Sequence, residues 1–251
     1  MMQFDEKEVR GVMRTIIAPT DRDTCFLAIY HRTAANIFSL LKLNGHQHFQ
    51  AITMLARNLF ELSVDLNLID KIPGSIQKMV AFVEVEKLRC ARKIVEFSKK
   101  HPSAKVDDSL YNSYIASEAA RIDAEKARLW PTIKKQQYPD GWANMNLKKR
   151  SVLAGLHYEK IYEVEQPRMS WQVHSGLTGV VNIKAESFTH IAGVAIYSCI
   201  QSYETILSTM IDEFQIGKAD DKIKNKLAVS KLLPWEDDPV KARQLYLEAI
   251  S

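Results

Sequence analysis

The stretch QPRMSWQVHSGLTG, Gln166 to Gly179, puts Arg168, Ser170 and His174 within seven residues of one another. A histidine titrates near neutrality and can take or give a proton, and an arginine is a fixed cation that can hold charge developing on a phosphate. The residue types present are thus a proton carrier and a fixed cation, and no cofactor is expected. Pro167 suits a first helical position and Gly176 the position just past a helix end, so a short helix is predicted over 168–175. On it Ser170 and His174, four apart, share a face. Arg168 lies about 9 Å further back along the axis, within reach of a long side chain.

A second set of charges sits in ARNLFELSVDLNLID. Ile52, Leu55, Leu59, Leu62, Leu66 and Ile69 recur at steps of three and four and form one apolar stripe. Phe60, Val64 and Leu68 read as a second stripe on nearly the opposite face. A helix apolar on two sides belongs at the centre of a bundle. That position would bury Arg57, Glu61 and Asp65, and Arg57 and Glu61 can pair at i,i+4. Together with Tyr158, Tyr162, Ser170 and His174 they would form a buried polar cluster. Such a cluster is either a structural ion network or the pocket of an interaction or ligand-binding module. No Glu-x-x-His pair, CxxC, P-loop, GxGxxG or GxSxG is present, so no metal site, nucleotide site or hydrolase elbow is expected.

The elements that must position these residues read as helices. Period-3.6 patterning runs through 22–43, 48–70, 76–100, 107–130, 147–165 and 186–214, with breaks at Asn44–Gly45, Pro73–Gly74 and Pro102 and a loop around Gly141. Asp107 and Ser109 are candidate caps for the fourth of these. Its later turns, rich in alanine and charge, read as a solvated face. No strand-like alternation persists and no linker divides the chain. The expectation is one all-α domain over 1–251, a single multi-helix bundle with its core at about 22–215 and short extra helices in a C-terminal extension, 216–251.

Composition sets the remaining bounds. Hydrophobic residues make up 46% of the 251, enough for a real core, and the net charge of +4 leaves room for an anionic partner such as RNA. Lys148 to Arg150, with Lys134 and Lys135, and the lysines from Lys218 to Lys231, are the basic clusters that could meet phosphates. Cys25, Cys90 and Cys199 are far apart and read as reduced, buried thiols, which points to a cytoplasmic protein. The first residues lack the apolar core of a signal peptide, and no run of about 18 apolar residues could span a membrane.

Two resemblances attach to these motifs. An arginine followed a few residues later by a histidine, in an all-α chain, resembles the motif of HEPN-type ribonucleases. The resemblance implies metal-independent RNA cleavage by Arg168 and His174, a homodimer seam, and a toxin or phage-defence role. A longer ordered set is similar to a family of bacterial all-α proteins of unknown function: Arg57 and Glu61 on an early helix, Trp142 in its loop, Tyr158 and Tyr162, then Ser170 and His174. It covers about Phe49 to Gly176. It implies the fold and leaves open whether the partner is a protein, a small ligand or RNA.

Overall fold

The computed structural model of the protein describes residues 9–16, 19–43, 46–134, 137–167 and 185–216. The α-helices are α1 (Arg10–Met13), α2 (Asp21–Leu41), α3 (Phe49–Leu68), α4 (Ser75–Lys100), α5 (Ser109–Leu129), α6 (Leu147–Ala154), α7 (Leu156–Lys160) and α8 (Ala185–Glu213). Among the described residues there is no strand, so the all-α expectation holds. None of the described helices is long and apolar enough to cross a membrane. By contacts the chain divides into two compact units, Met1–Leu66 with Lys160–Ser251, and Asn67–Glu159.

In the first unit α2 begins at a reciprocal cap. The Thr20 hydroxyl accepts from the Asp23 backbone N–H at 3.1 Å, and the Asp23 carboxylate accepts from the Thr20 N–H at 2.8 Å. The helix then buries Phe26, Ile29, Tyr30, Thr33 and Ile37, a stripe at helical spacing. It packs on α8. Arg22, at the start of α2, grips Glu213 at the end of α8 through Nε and Nη2 at 2.5 and 2.8 Å, and Phe26 meets Phe214 edge to face. The start of one helix meeting the end of the other makes the pair antiparallel. Tyr203, Ile206, Leu207 and Met210 supply the buried side of α8.

Helix α3 follows the two-stripe expectation only towards its C-terminal end. Its buried residues include Ile52, Ala56, Leu59, Phe60, Ser63 and Val64, whereas Leu55 and Leu62 are only half-buried. Phe60 and Val64 stand eight residues beyond Ile52 and Ala56, which is about 80° round the helix. There they widen one apolar face, but towards the end of the helix Leu66 and Leu68 are buried as well, and Leu68 stands about 180° round from the equally buried Leu59. Met54 and Asn58 are exposed on the far side, with Arg57, Glu61 and Asp65 half-exposed beside them.

In the second unit α4 and α5 pack along their lengths. The Tyr114 hydroxyl donates to Glu84 at 3.3 Å, and Arg92 holds Asp123 further on. These contacts tie α4 to α5 at two points, and 101–108 joins the two helices. Val85, Leu88, Ile122 and Trp130 form the core of this pair. The expected cap at Asp107 holds in altered form: its carboxylate accepts from the Ser109 N–H at 3.1 Å and hydroxyl at 2.7 Å, and the helix starts at Ser109. The single helix expected over 147–165 is broken. Gly155 takes φ 126, which a residue with a side chain avoids, ending α6; beyond α7 the turn Ile161–Glu165 is π-helical. Cys90 also departs from expectation, being exposed on α4, while Cys25 and Cys199 are buried.

Candidate functional site

Arg168, Ser170 and His174, and the short helix predicted to carry them, lie outside the described residues, as do the lysines from Lys218 to Lys231. Of the other predicted site residues, Arg57 and Glu61 do pair, Nε to Oε1 at 3.5 Å, but their side chains are 30% and 36% exposed. The expected burial of this pair is therefore not found: at this level of α3 the buried residues Ala56, Leu59, Phe60, Ser63 and Val64 share one face, and the pair stands beside the exposed Met54 and Asn58. Tyr158, on α7, is buried, and that burial raises its phenol pKa while the Asn67 side chain that hydrogen-bonds it works the other way. Tyr162 is half-buried in the π-helical turn. Trp142 is buried in its loop, where Gly141 at φ 68 and Asn144 at φ 52 tighten the turn. Its carbonyl accepts from the Trp130 indole N–H at 3.0 Å.

The best-built polar cluster is one that periodicity alone did not single out. On α4, Arg92 donates through Nη2 to Asp123 Oδ2 at 2.6 Å and through Nη1 to Oδ1 at 3.1 Å, a two-pronged pair. The same Nη1 donates to the Tyr138 hydroxyl at 3.0 Å. One turn along α5 from Asp123 stands Lys126, whose side chain is only 5% exposed. Its ammonium donates to the Gln137 carbonyl at 3.1 Å, lies 3.7 Å from Asp123 Oδ1 and sits over the Tyr138 ring at 4.7 Å from its centre. The Arg92 guanidinium holds the Asp123 carboxyl below its ordinary range, with Lys126 adding to the effect, and the same hydrogen bond raises Arg92.

This cluster borders a half-open cavity of about 380 Å³ lined by Asp123, Ala124, Lys126, Ala127, Trp130 and Ile133. Every one of these residues belongs to the second unit. Ala124 and Ala127 are its small lining residues on α5, and Trp130, the C-cap of that helix, is its aromatic one. The cavity is at the small end of the range for ligand sites, roughly 300–1,000 Å³. It presents apolar surface next to charged groups already held in place. That arrangement can bind and orient a small molecule.

A sequence signal for the cluster exists. Ile115, Ala119, Ile122, Lys126 and Trp130 step by four, three, four and four, which places a lysine in the apolar stripe of α5. On α4, Val85, Leu88, Arg92 and Val95 do the same for an arginine. Among the described residues, no three of His, Cys, Asp and Glu converge as metal ligands would.

Comparison with known proteins gives one family. The model of a family of unknown function (DUF5677) matches residues 24–187, which include the whole Arg92–Asp123–Lys126–Tyr138 cluster. No curated protein and no solved structure matches.

Proposed function

This chain belongs to the family of unknown function DUF5677, and we propose that it is a helical ligand-binding module whose site is the α5 cavity beside Lys126. The observation that carries the reading is a buried lysine in a cavity wall. Taking a charge out of water is costly, and an ion group that only fixed the register of two helices could be replaced by apolar residues of the same volume with no loss of stability. Here the charged group lies next to open space of ligand size, bounded by Ala124, Ala127, Trp130 and Ile133. The Arg57–Glu61 pair is a weaker candidate, since it is half-exposed and both partners come from one helix.

The test uses the full chain and naphthalene-2-carboxamide, a neutral bicyclic probe. An apolar cavity of about 150 Å³ holds one benzene, so a bicyclic ring matches a site of this size. Saturable binding is expected to shift the Trp130 indole N–H resonance, assigned by its loss in Trp130→Phe. Ala127→Phe fills the cavity from an exposed position and should abolish binding while leaving the helical circular dichroism unchanged. Binding that is equal in wild type and Ala127→Phe, or no binding at all, would refute the reading.

A further inference from the structure

The polar groups that border the cavity are already engaged within the protein. The Trp130 indole has a single N–H, which donates to the Trp142 carbonyl at 3.0 Å, so what it has left for a ligand is carbon surface. Both oxygens of Asp123 accept from Arg92, at 2.6 and 3.1 Å. The Lys126 ammonium donates to the Gln137 carbonyl at 3.1 Å, stands 3.7 Å from Asp123 and lies over the Tyr138 ring. Ala124, Ala127 and Ile133, the rest of the lining, have no polar side-chain atom. A carboxylate and an ammonium thus line the same space within salt-bridge distance of each other. A negative group placed there meets Asp123 as well as Lys126, and a positive one meets Lys126 as well as Asp123. A ligand charge of either sign gives up water on entry, and the wall groups that could replace that water already have partners.

From these engaged groups we infer that the cavity selects an uncharged, largely apolar ligand over an ion of either sign, and holds it by carbon contacts with Ala124, Ala127, Trp130 and Ile133. The inference rests on the ligand-binding reading above and adds the class of ligand. In it Lys126 shapes the wall and does not bond the ligand. Its hydrogen bond to Gln137 and its place over Tyr138 hold 137–138 against α5, and Arg92 holds the Tyr138 hydroxyl from α4. A wall fixed in advance spares the ligand the cost of ordering it. The ions next to the cavity therefore serve its shape, and the apolar lining supplies the binding.

The experiment compares three probes of one shape on the full chain: naphthalene-2-carboxamide, naphthalene-2-carboxylate and naphthalen-2-ylmethylammonium. Affinities are measured by calorimetry at neutral pH, for wild type and for Ala127→Phe. The amide is expected to bind wild type about tenfold or more tightly than either ion, because an ion loses hydration that engaged wall groups do not replace. Ala127→Phe, which fills the cavity, should remove the binding of the amide. An ion that binds wild type within about threefold of the amide, or more tightly, and loses that binding in Ala127→Phe would overturn the inference while the ligand-binding reading stood. Failure of all three to bind wild type, or binding of the amide that Ala127→Phe leaves unchanged, would remove both. Should Ala127→Phe not fold, judged by circular dichroism, the ranking of the three probes on wild type alone decides.

Discussion

Replacing Arg92 by methionine removes three hydrogen bonds at once, two to Asp123 and one to Tyr138. The side chains of Arg92 and Asp123 are 35% and 28% exposed, so the pair lies between two limits. An exposed pair is worth about 0.2–1 kcal/mol, and breaking a buried one costs about 3–5 kcal/mol. Lys126 remains 3.7 Å from Asp123 and keeps part of its compensation. The expected loss is about 2 kcal/mol, or roughly 4–8 °C in Tm for a chain of this size. Denaturant unfolding of wild type, Arg92→Met, Asp123→Asn and the double variant isolates the pair itself, with an expected coupling of about 1.5 kcal/mol. The pH dependence has a definite sign. Asp123 has its folded pKa lowered below the ordinary 3.8, chiefly by Arg92, so the pair contributes fully above that value. The contribution is lost as pH falls through the lower folded value. The gap between wild type and Arg92→Met should therefore be the same at pH 7 and pH 5 and should close below about pH 4. A coupling under about 0.3 kcal/mol, or a gap that does not change in acid, would refute the assignment of the pair as the latch between α4 and α5.

Two further outcomes are expected. Glu61→Ala should cost under about 1 kcal/mol by denaturant unfolding, since its pair with Arg57 is half-exposed and 3.5 Å long; a loss near 3 kcal/mol would mean that Glu61 is buried after all. If Arg168 and His174 form a metal-independent ribonuclease centre, the full chain should cleave RNA in the presence of a chelator, and His174→Ala should abolish cleavage at unchanged Tm. On the ligand-binding reading neither protein cleaves, and cleavage by wild type alone would reinstate the enzymatic alternative.

Much of the fold is legible in the sequence because each long helix carries its own apolar stripe. The predicted spans 22–43, 76–100 and 186–214 differ from α2, α4 and α8 by only one or two residues at each end. Where the reading failed, the cause was geometric. On α3 the step from Leu59 to Phe60 is about 100°, and such a step either opens a new stripe or widens the old one. Sequence does not say which until a neighbour covers the surface between them. At Gly155 the glycine was visible, yet helical patterning continued on both sides, and only the backbone at φ 126 shows that the helix stops there. The polar site was missed for a related reason. Local spacing finds pairs within one helix, such as Arg57 and Glu61, because i,i+4 neighbours are fixed by the helix alone.

Pairs between helices obey a different rule. Arg92 and Asp123 are 31 residues apart, and their meeting depends on the direction and register in which α4 and α5 pack. Apolar stripes leave both open, since the same stripe can be buried against a parallel or an antiparallel neighbour. A charged residue within each stripe restricts that choice. Placed at an apolar position, Arg92 must find an acid on the other helix, and sliding the helices by one turn would separate it from Asp123 and leave both half-buried and unmatched. Tyr138 and Gln137 tie the following loop to the same two helices, so one cluster fixes the register of α4 on α5 and the path of the chain beyond Trp130. The cavity is bounded by that path. Asp123, Lys126 and Trp130 hold their places along its edge because the ions that set the register also form its wall, and a ligand in the cavity would therefore bind beside the contact that orders the whole unit.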